Sequence, residues 1–162
     1  MQDTFGRTIS YMRLSVTDKC NCRCIYCMPR GGVARHTHGE VLSFEEMAEI
    51  VRAASKLGVR KVRVTGGEPL VRRGIVDLVA MLSGIGGIDE VDMTTNGTLL
   101  APLAKDLRAA GLTRLNISLD TLRPDRYQEI SRVGELSDAL DGIRAAKLAG
   151  FPPPKINCVL MG

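Results

Sequence analysis

The chain has 162 residues, 44% of them apolar and 25% charged, and 22 Lys and Arg against 18 Asp and Glu leave a formal net charge of +4. That composition predicts one globular domain with a sizeable core, not a disordered or collagen-like chain. No apolar run is long enough to span a membrane, the first residues lack the apolar stretch of a signal peptide, and with no Trp stacking surfaces for nucleic acid are scarce.

Strand and helix patterns alternate along the chain. Tyr11 to Val16 reads as a first strand, and a long loop from Thr17 to Leu42 follows, a length that in a compact domain marks function. Ser43 with Glu46 makes a capping box for a helix whose apolar face is Phe44, Met47, Ala48, Val51 and Leu57, ended by Gly58. Val59 to Thr65 is a second strand running into Gly66-Gly67-Glu68-Pro69, and helical spacing continues from Arg73 to Ser83. Ile88 to Thr94 is a third strand, Leu99 to Ala110 a helix, and Thr113 to Leu119 a fourth strand. Pro124 starts a short helix, Ser137 caps another that ends at Gly150, and Lys155 to Leu160 is a fifth strand with Cys158 in its core. The alternation implies an α/β fold of about five parallel strands with flanking helices. Spacing alone leaves an open doubly wound sheet and part of a barrel both standing. The unusual residues gather late in the strands or just after them, on the edge that carries active sites in such folds.

Four of the 5 cysteines lie within eight positions, Cys20, Cys22, Cys24 and Cys27. Without a signal peptide the expected location is cytoplasmic, where a tight cluster of thiols reads as a metal site and not as a disulfide framework. Zinc is one reading, but all the cysteines are adjacent, and His36 and His38 would have to complete the shell from a polar loop. The other is an iron–sulfur cluster on Cys20, Cys24 and Cys27, leaving one iron without a protein ligand and open to a cofactor or substrate.

Cys20-x3-Cys24-x2-Cys27, with Tyr26 before the last cysteine, and the later Gly66-Gly67-Glu68-Pro69 together resemble the radical S-adenosylmethionine (SAM) enzymes. A closer resemblance, to the GTP 3′,8-cyclase family of molybdenum cofactor biosynthesis, runs through almost the whole chain. It rests on Arg13 to Asp18, Cys27-Met28-Pro29, Leu42 to Glu46, Val62 to Leu70, Thr94 to Gly97, Asn116 to Leu122 and Lys155-Ile156-Asn157.

The resemblance implies a partial, TIM-like radical SAM barrel that binds a 4Fe–4S cluster and SAM. Cys20, Cys24 and Cys27 would hold the cluster. Tyr26, Gly66, Gly67, Glu68, Pro69 and Ser118 would bind SAM, and Arg13, Arg63, Thr94 and Lys155 would meet GTP. Three cations and a hydroxyl on four strands suit a triphosphate at one sheet edge. One electron entering the cluster would cleave SAM to a 5′-deoxyadenosyl radical. That radical would take hydrogen from the ribose C3′ of GTP, and the carbon radical would attack guanine C8. Cys22, where the family carries an aromatic, reads as a small buried substitute.

The family is roughly twice this length, in the range of a complete barrel with an extension. It carries a second cluster and a Gly-Gly tail in its C-terminal half. Residues 1–162 are therefore expected to form a radical SAM core domain truncated before the second-cluster region. An electron donor, a partner enzyme of molybdopterin synthesis and a homodimer complete the expectation. A non-catalytic cluster- and SAM-binding remnant, or another radical SAM reaction such as peptide modification, remain as alternatives.

Overall fold

The structure, a computed structural model, describes residues 2–32 and 41–161. Five strands form one sheet: β1 Tyr11–Ser15, β2 Lys61–Thr65, β3 Glu90–Thr95, β4 Arg114–Ser118 and β5 Lys155–Asn157. All four pairings are parallel, and the spatial order β1-β2-β3-β4-β5 is the chain order. A doubly wound sheet reverses its order at a switch point, and this one does not. Every crossover advances one strand in the same direction, which is the winding of a (β/α) barrel segment.

The helices between the strands are α1 Phe44–Lys56, α2 Ile75–Ser83, α3 Ala104–Ala109, α4 Pro124–Ser131 and α5 Leu136–Leu148. At α1 the expected capping box forms: the Ser43 hydroxyl accepts from Glu46 N at 3.1 Å, and the Glu46 carboxylate accepts from Ser43 N at 2.7 Å. Two of the four orphan helix donors are satisfied this way, an arrangement whose cap is worth about 1 kcal/mol.

The register sorts the sheet into two unlike faces. Leu14, Val64 and Met93 stand level across three strands, as do Met93 and Leu115 on the next pair. With Val62, Val91 and Ile117 they form the apolar face, each at most 6% exposed beneath Val51, Leu78, Leu82 and Leu107 of the helices. Each such side chain buried contributes about 1.5–3 kcal/mol. On the opposite face Arg13, Arg63 and Asp92 are level, and two residues further along β3 so are Thr94, Asn116 and Lys155. Most barrels fill their interior with branched apolar side chains. Here that face carries charge.

Several boundaries differ from expectation. The helix expected from Leu99 begins only at Ala104, because Pro102 disfavours helical backbone in the residue before it and leaves 99–103 as turns. Helix α5 starts at Leu136 with Glu135 as its N-cap, so Ser137 lies inside the helix and does not cap it. Burial of Leu136 against Leu119, Tyr127 and Ala139 sets that start. Strand β5 pairs over three residues only. Cys158 therefore falls beyond it and is exposed, not a core residue, because among the described residues no strand covers the outer side of β5.

Candidate functional site

The cysteine loop leaves β1 at its C-terminal end and is stitched at once to the end of β2. Gly67 N donates to Thr17 O at 2.7 Å, and Glu68 N donates to Lys19 O at 2.8 Å. The glycines are required by this approach. A Cβ on Gly66 would stand 2.4 Å from Thr17 O, one on Gly67 2.4 Å from Lys19 O, and Gly66 also holds φ +149°. Gly66-Gly67 is thus a backbone seam that places Cys20.

Glu68 turns inward. Only 1% exposed, its carboxylate accepts from Leu70 N at 3.1 Å, Thr95 Oγ1 at 2.6 Å and Asn96 N at 2.7 Å, so it locks the end of β2 to the end of β3. Pro69, also buried, opens the short 3-10 turn that follows. Burial pushes the Glu68 carboxyl up to about 7, against the opposing pull of its three donors, with the Cys20 thiolate a smaller upward push. A carboxyl whose folded pKa is raised favours the fold fully below its ordinary value of 4.5, and that advantage disappears as the pH climbs through about 7. Stability should fall by at most about 3 kcal/mol across that window. Denaturant melts of wild type and Glu68→Gln, taken from pH 5 to 8, check this; parallel profiles would refute it.

Beyond Glu68 the turn after β3 grips the loop. Asn96 Nδ2 donates to Asn21 Oδ1 at 2.8 Å and to Cys22 Sγ at 3.4 Å, and Asn21 Nδ2 donates to Thr98 Oγ1 at 2.8 Å. From the other side, Arg23 N donates to Ser131 O and Ile25 N to Ile130 O, both at 2.9 Å, at the end of α4. Arg132, held left-handed at φ 59°, donates Nη1 to Arg23 O at 3.3 Å and Met28 O at 3.2 Å.

Between these seams a turn closes on Cys24 O, which accepts from Cys27 N at 3.1 Å and Met28 N at 2.9 Å. Cys20 and Cys24 are half-buried and Cys27 exposed, while Cys22 is 2% exposed and points away from solvent, as a small buried residue should. The Cys22 thiol, hydrogen-bonded to Cys20, holds the Cys20 thiol down to about 6 and is itself pushed well up. Burial, then the charges of Cys27 and Cys20, push Cys24 up to about 11. Cys24 therefore senses the charge of the other two spaced thiols.

Among the described residues no three His, Cys, Asp or Glu side chains converge on a point as one metal ion demands. His36 and His38 lie outside the described residues. Ligands of an iron–sulfur cubane bind separate irons, so Cys20, Cys24 and Cys27 need not converge on one point to hold one.

Tyr26 reaches over the loop, and its hydroxyl donates to Asp120 Oδ2 at 2.8 Å while Asp120 Oδ1 accepts from Val159 N at 2.9 Å. Burial and that acceptor push the Tyr26 phenol up. Tyr26, Cys24, Ser118 and Asp120 line one small cavity of about 30 Å³ beneath the loop. So the structure brings Tyr26 and Ser118 together at the C-terminal ends of the strands, with the Gly66-Gly67 seam at the end of β2.

The remaining expected residues share the open face of the sheet and not its edge. Arg13 and Lys155 are exposed and Thr94 half-buried. Arg63 is tied by Nη2 to Asp92 Oδ2 at 3.0 Å. The sequence alone assigns no role to Asp92, Glu90, Lys61 or Asp120. The signal for the first three was available: Lys61 and Arg63 on β2, and Glu90 and Asp92 on β3, each two apart, put charges of opposite sign on one face of adjacent strands.

Comparison with known proteins gives the family and the fold. The family described as the radical SAM superfamily matches residues 14–162. A GTP 3′,8-cyclase from Geobacter sulfurreducens is 58% identical over 159 residues, 98% of this chain and 49% of that protein. One from Pelotomaculum thermopropionicum is 56% identical, over 99% of this chain and 50% of its own length. The chain thus spans about half the length of the curated relatives it matches. Among solved structures, Streptococcus suis SuiB bound to precursor peptide SuiA superposes with a TM-score of 0.76 at 20% identity, over 92% of this chain and 32% of that one, a likeness of fold.

Proposed function

The chain belongs to the radical SAM superfamily, and from that premise we propose that it carries the core of a GTP 3′,8-cyclase of molybdenum cofactor synthesis. The observation that carries the reading is the junction of two features. A pinned loop offers three spaced thiols at the C-terminal edge, and beside it the open face of the sheet presents Arg13, Arg63 and Lys155 to an anion. The cofactors are a 4Fe–4S cluster and SAM, with Cys20, Cys24 and Cys27 as the thiolate ligands. Bound there and reduced, they would supply radical hydrogen-abstraction chemistry to a substrate on this face.

The protein's own part is placement. Gly66 and Gly67 let the loop approach the strand ends, and Glu68 braces that junction from below. Tyr26, fixed by Asp120, offers its ring to the adenine, and Ser118 a hydroxyl on the same cavity. Arg13, Arg63, Thr94 and Lys155 hold the nucleotide so that ribose and base keep one geometry, a contribution of orientation and charge matching. The reading extends to residues 1–162 as the radical SAM core domain, to GTP as substrate, to an electron donor, to a following enzyme of molybdopterin synthesis, to a homodimer and to a cytoplasmic location. Among the described residues no helix is long and apolar enough to cross a membrane.

Anaerobic reconstitution with iron and sulfide tests the reading. The expected results are a bound cluster, release of 5′-deoxyadenosine from SAM on reduction, and retention of GTP by the chain. A loaded chain that leaves SAM intact under reduction would overturn the enzymatic reading in favour of a binding remnant.

A further inference from the structure

The open face of the sheet carries an acid that no part of the proposed chemistry uses. Asp92, on β3, is 0% exposed although it lies on the polar side. Its Oδ2 accepts from Arg63 Nη2 at 3.0 Å and pairs with Lys61 Nζ at 3.0 Å, while Oδ1 accepts from Thr113 Oγ1 at 3.1 Å. Lys61 also pairs with Glu90, which lies 3.9 Å from Arg114. Three cations and two carboxylates therefore form one ladder across β2, β3 and β4.

A second observation concerns Arg63. Its Nε is buried and has no hydrogen-bond partner. The guanidinium is nevertheless fixed, by Asp92 on Nη2 and by the ring of Tyr11, 5.4 Å from its carbon. A buried N–H left unpaired is costly, so one in a folded chain calls for an explanation. Arg13 stands level with Arg63 on the neighbouring strand, so an acceptor arriving there would meet two cations.

We propose that Asp92 is a positioning residue for an anionic ligand: it holds Arg63 by one amino group so that the accessible part of the guanidinium keeps one direction toward a phosphate of a bound nucleotide. Asp92 does not touch the ligand. It fixes the direction of the fork, and with Glu90 it offsets enough positive charge that Lys61, Arg63 and Arg114 can crowd together. The proposal rests on the reading of this face as the GTP site.

Isothermal titration of the chain with GTP and with inorganic triphosphate tests it. Asp92→Asn should weaken both about tenfold, the loss expected when a charge-assisted contact is misaligned. In an Arg63→Gln background the same change should have little further effect, because a positioning residue acts only through the group it positions. Asp92→Glu keeps the charge but displaces the guanidinium, and should lose affinity; its cooperative melt, lowered by the added methylene, shows that it folds, and it stands in should Asp92→Asn not fold. Full affinity in both Asp92 variants, or an equal loss with and without Arg63, overturns the proposal while leaving the GTP reading intact. A wild-type chain that binds neither probe overturns both.

Discussion

Cys24→Ala should empty the reconstituted chain of iron, while Cys22→Ala should leave the iron content unchanged. The two residues are two positions apart, but their settings differ. Cys24 is half-buried at the head of the turn that brings Cys27 back beside it, and it senses the charge of Cys27 and Cys20. Taking one of three thiolates away leaves two, too few for a cluster whose fourth iron has no protein ligand. Cys22 points inward, where Asn96 Nδ2 donates to its sulfur at 3.4 Å. Its loss should cost about 1 kcal/mol of stability and no metal. Iron and sulfide assays on both variants, with denaturant melts of the unloaded proteins, separate the outcomes. Equal iron in wild type and Cys24→Ala would remove the cluster assignment altogether.

Gly67→Ala should destabilise the chain by about 3 kcal/mol or more and should lower iron uptake with it. The new Cβ would stand 2.4 Å from Lys19 O and 2.7 Å from Asp18 O. Both are backbone atoms, so no side chain can swing aside. The seam from Thr17 to Glu68 must open, and changes of that kind lie in the large-effect tail of point substitutions. Cys20 follows Lys19 directly and moves with it. Gly86→Ala is the control, because a Cβ there meets nothing within 4 Å, and it should fall within about 0.5 kcal/mol of wild type. Chemical denaturation of the apo proteins measures the first effect and iron content after reconstitution the second. A Gly67→Ala variant as stable as the control would show that the loop can shift without cost.

Much of this was legible in the sequence where the cause is local. The capping box at Ser43 and Glu46 depends on residues three apart, and it forms as read. The strands are recognisable from β-branched runs such as Val62 and Val64. The cysteine spacing and the Gly-Gly-Glu-Pro run were legible as motifs. What they do to each other was not, because the carbonyls of Thr17 and Lys19 meet Gly66 and Gly67 only after the sheet has formed. Non-local causes account for the misses. Leu136 is drawn into a small apolar cluster with Tyr127 and so overrides Ser137 as the helix start. Cys158 reads as a strand residue until the short pairing of β5 is seen. Asp92 looks like an ordinary outward-facing acid; only the crowding of Lys61, Arg63 and Thr113 around it removes it from water.

The suspension of the cysteine loop has a consequence for how metal is gained and lost. Small metal-binding peptides order themselves around the ion, so their affinity and their folding are one equilibrium, and a chelator unfolds them. Here the strand ends and the C-terminus of α4 already do the ordering, through Gly67, Asn96, Ser131 and Arg132. The chain can then keep its fold without the metal, although a bound cluster still adds to its stability by mass action. Damage to the cluster by oxygen would then strip cargo from a vessel that keeps its shape, and repair is a refilling rather than a refolding.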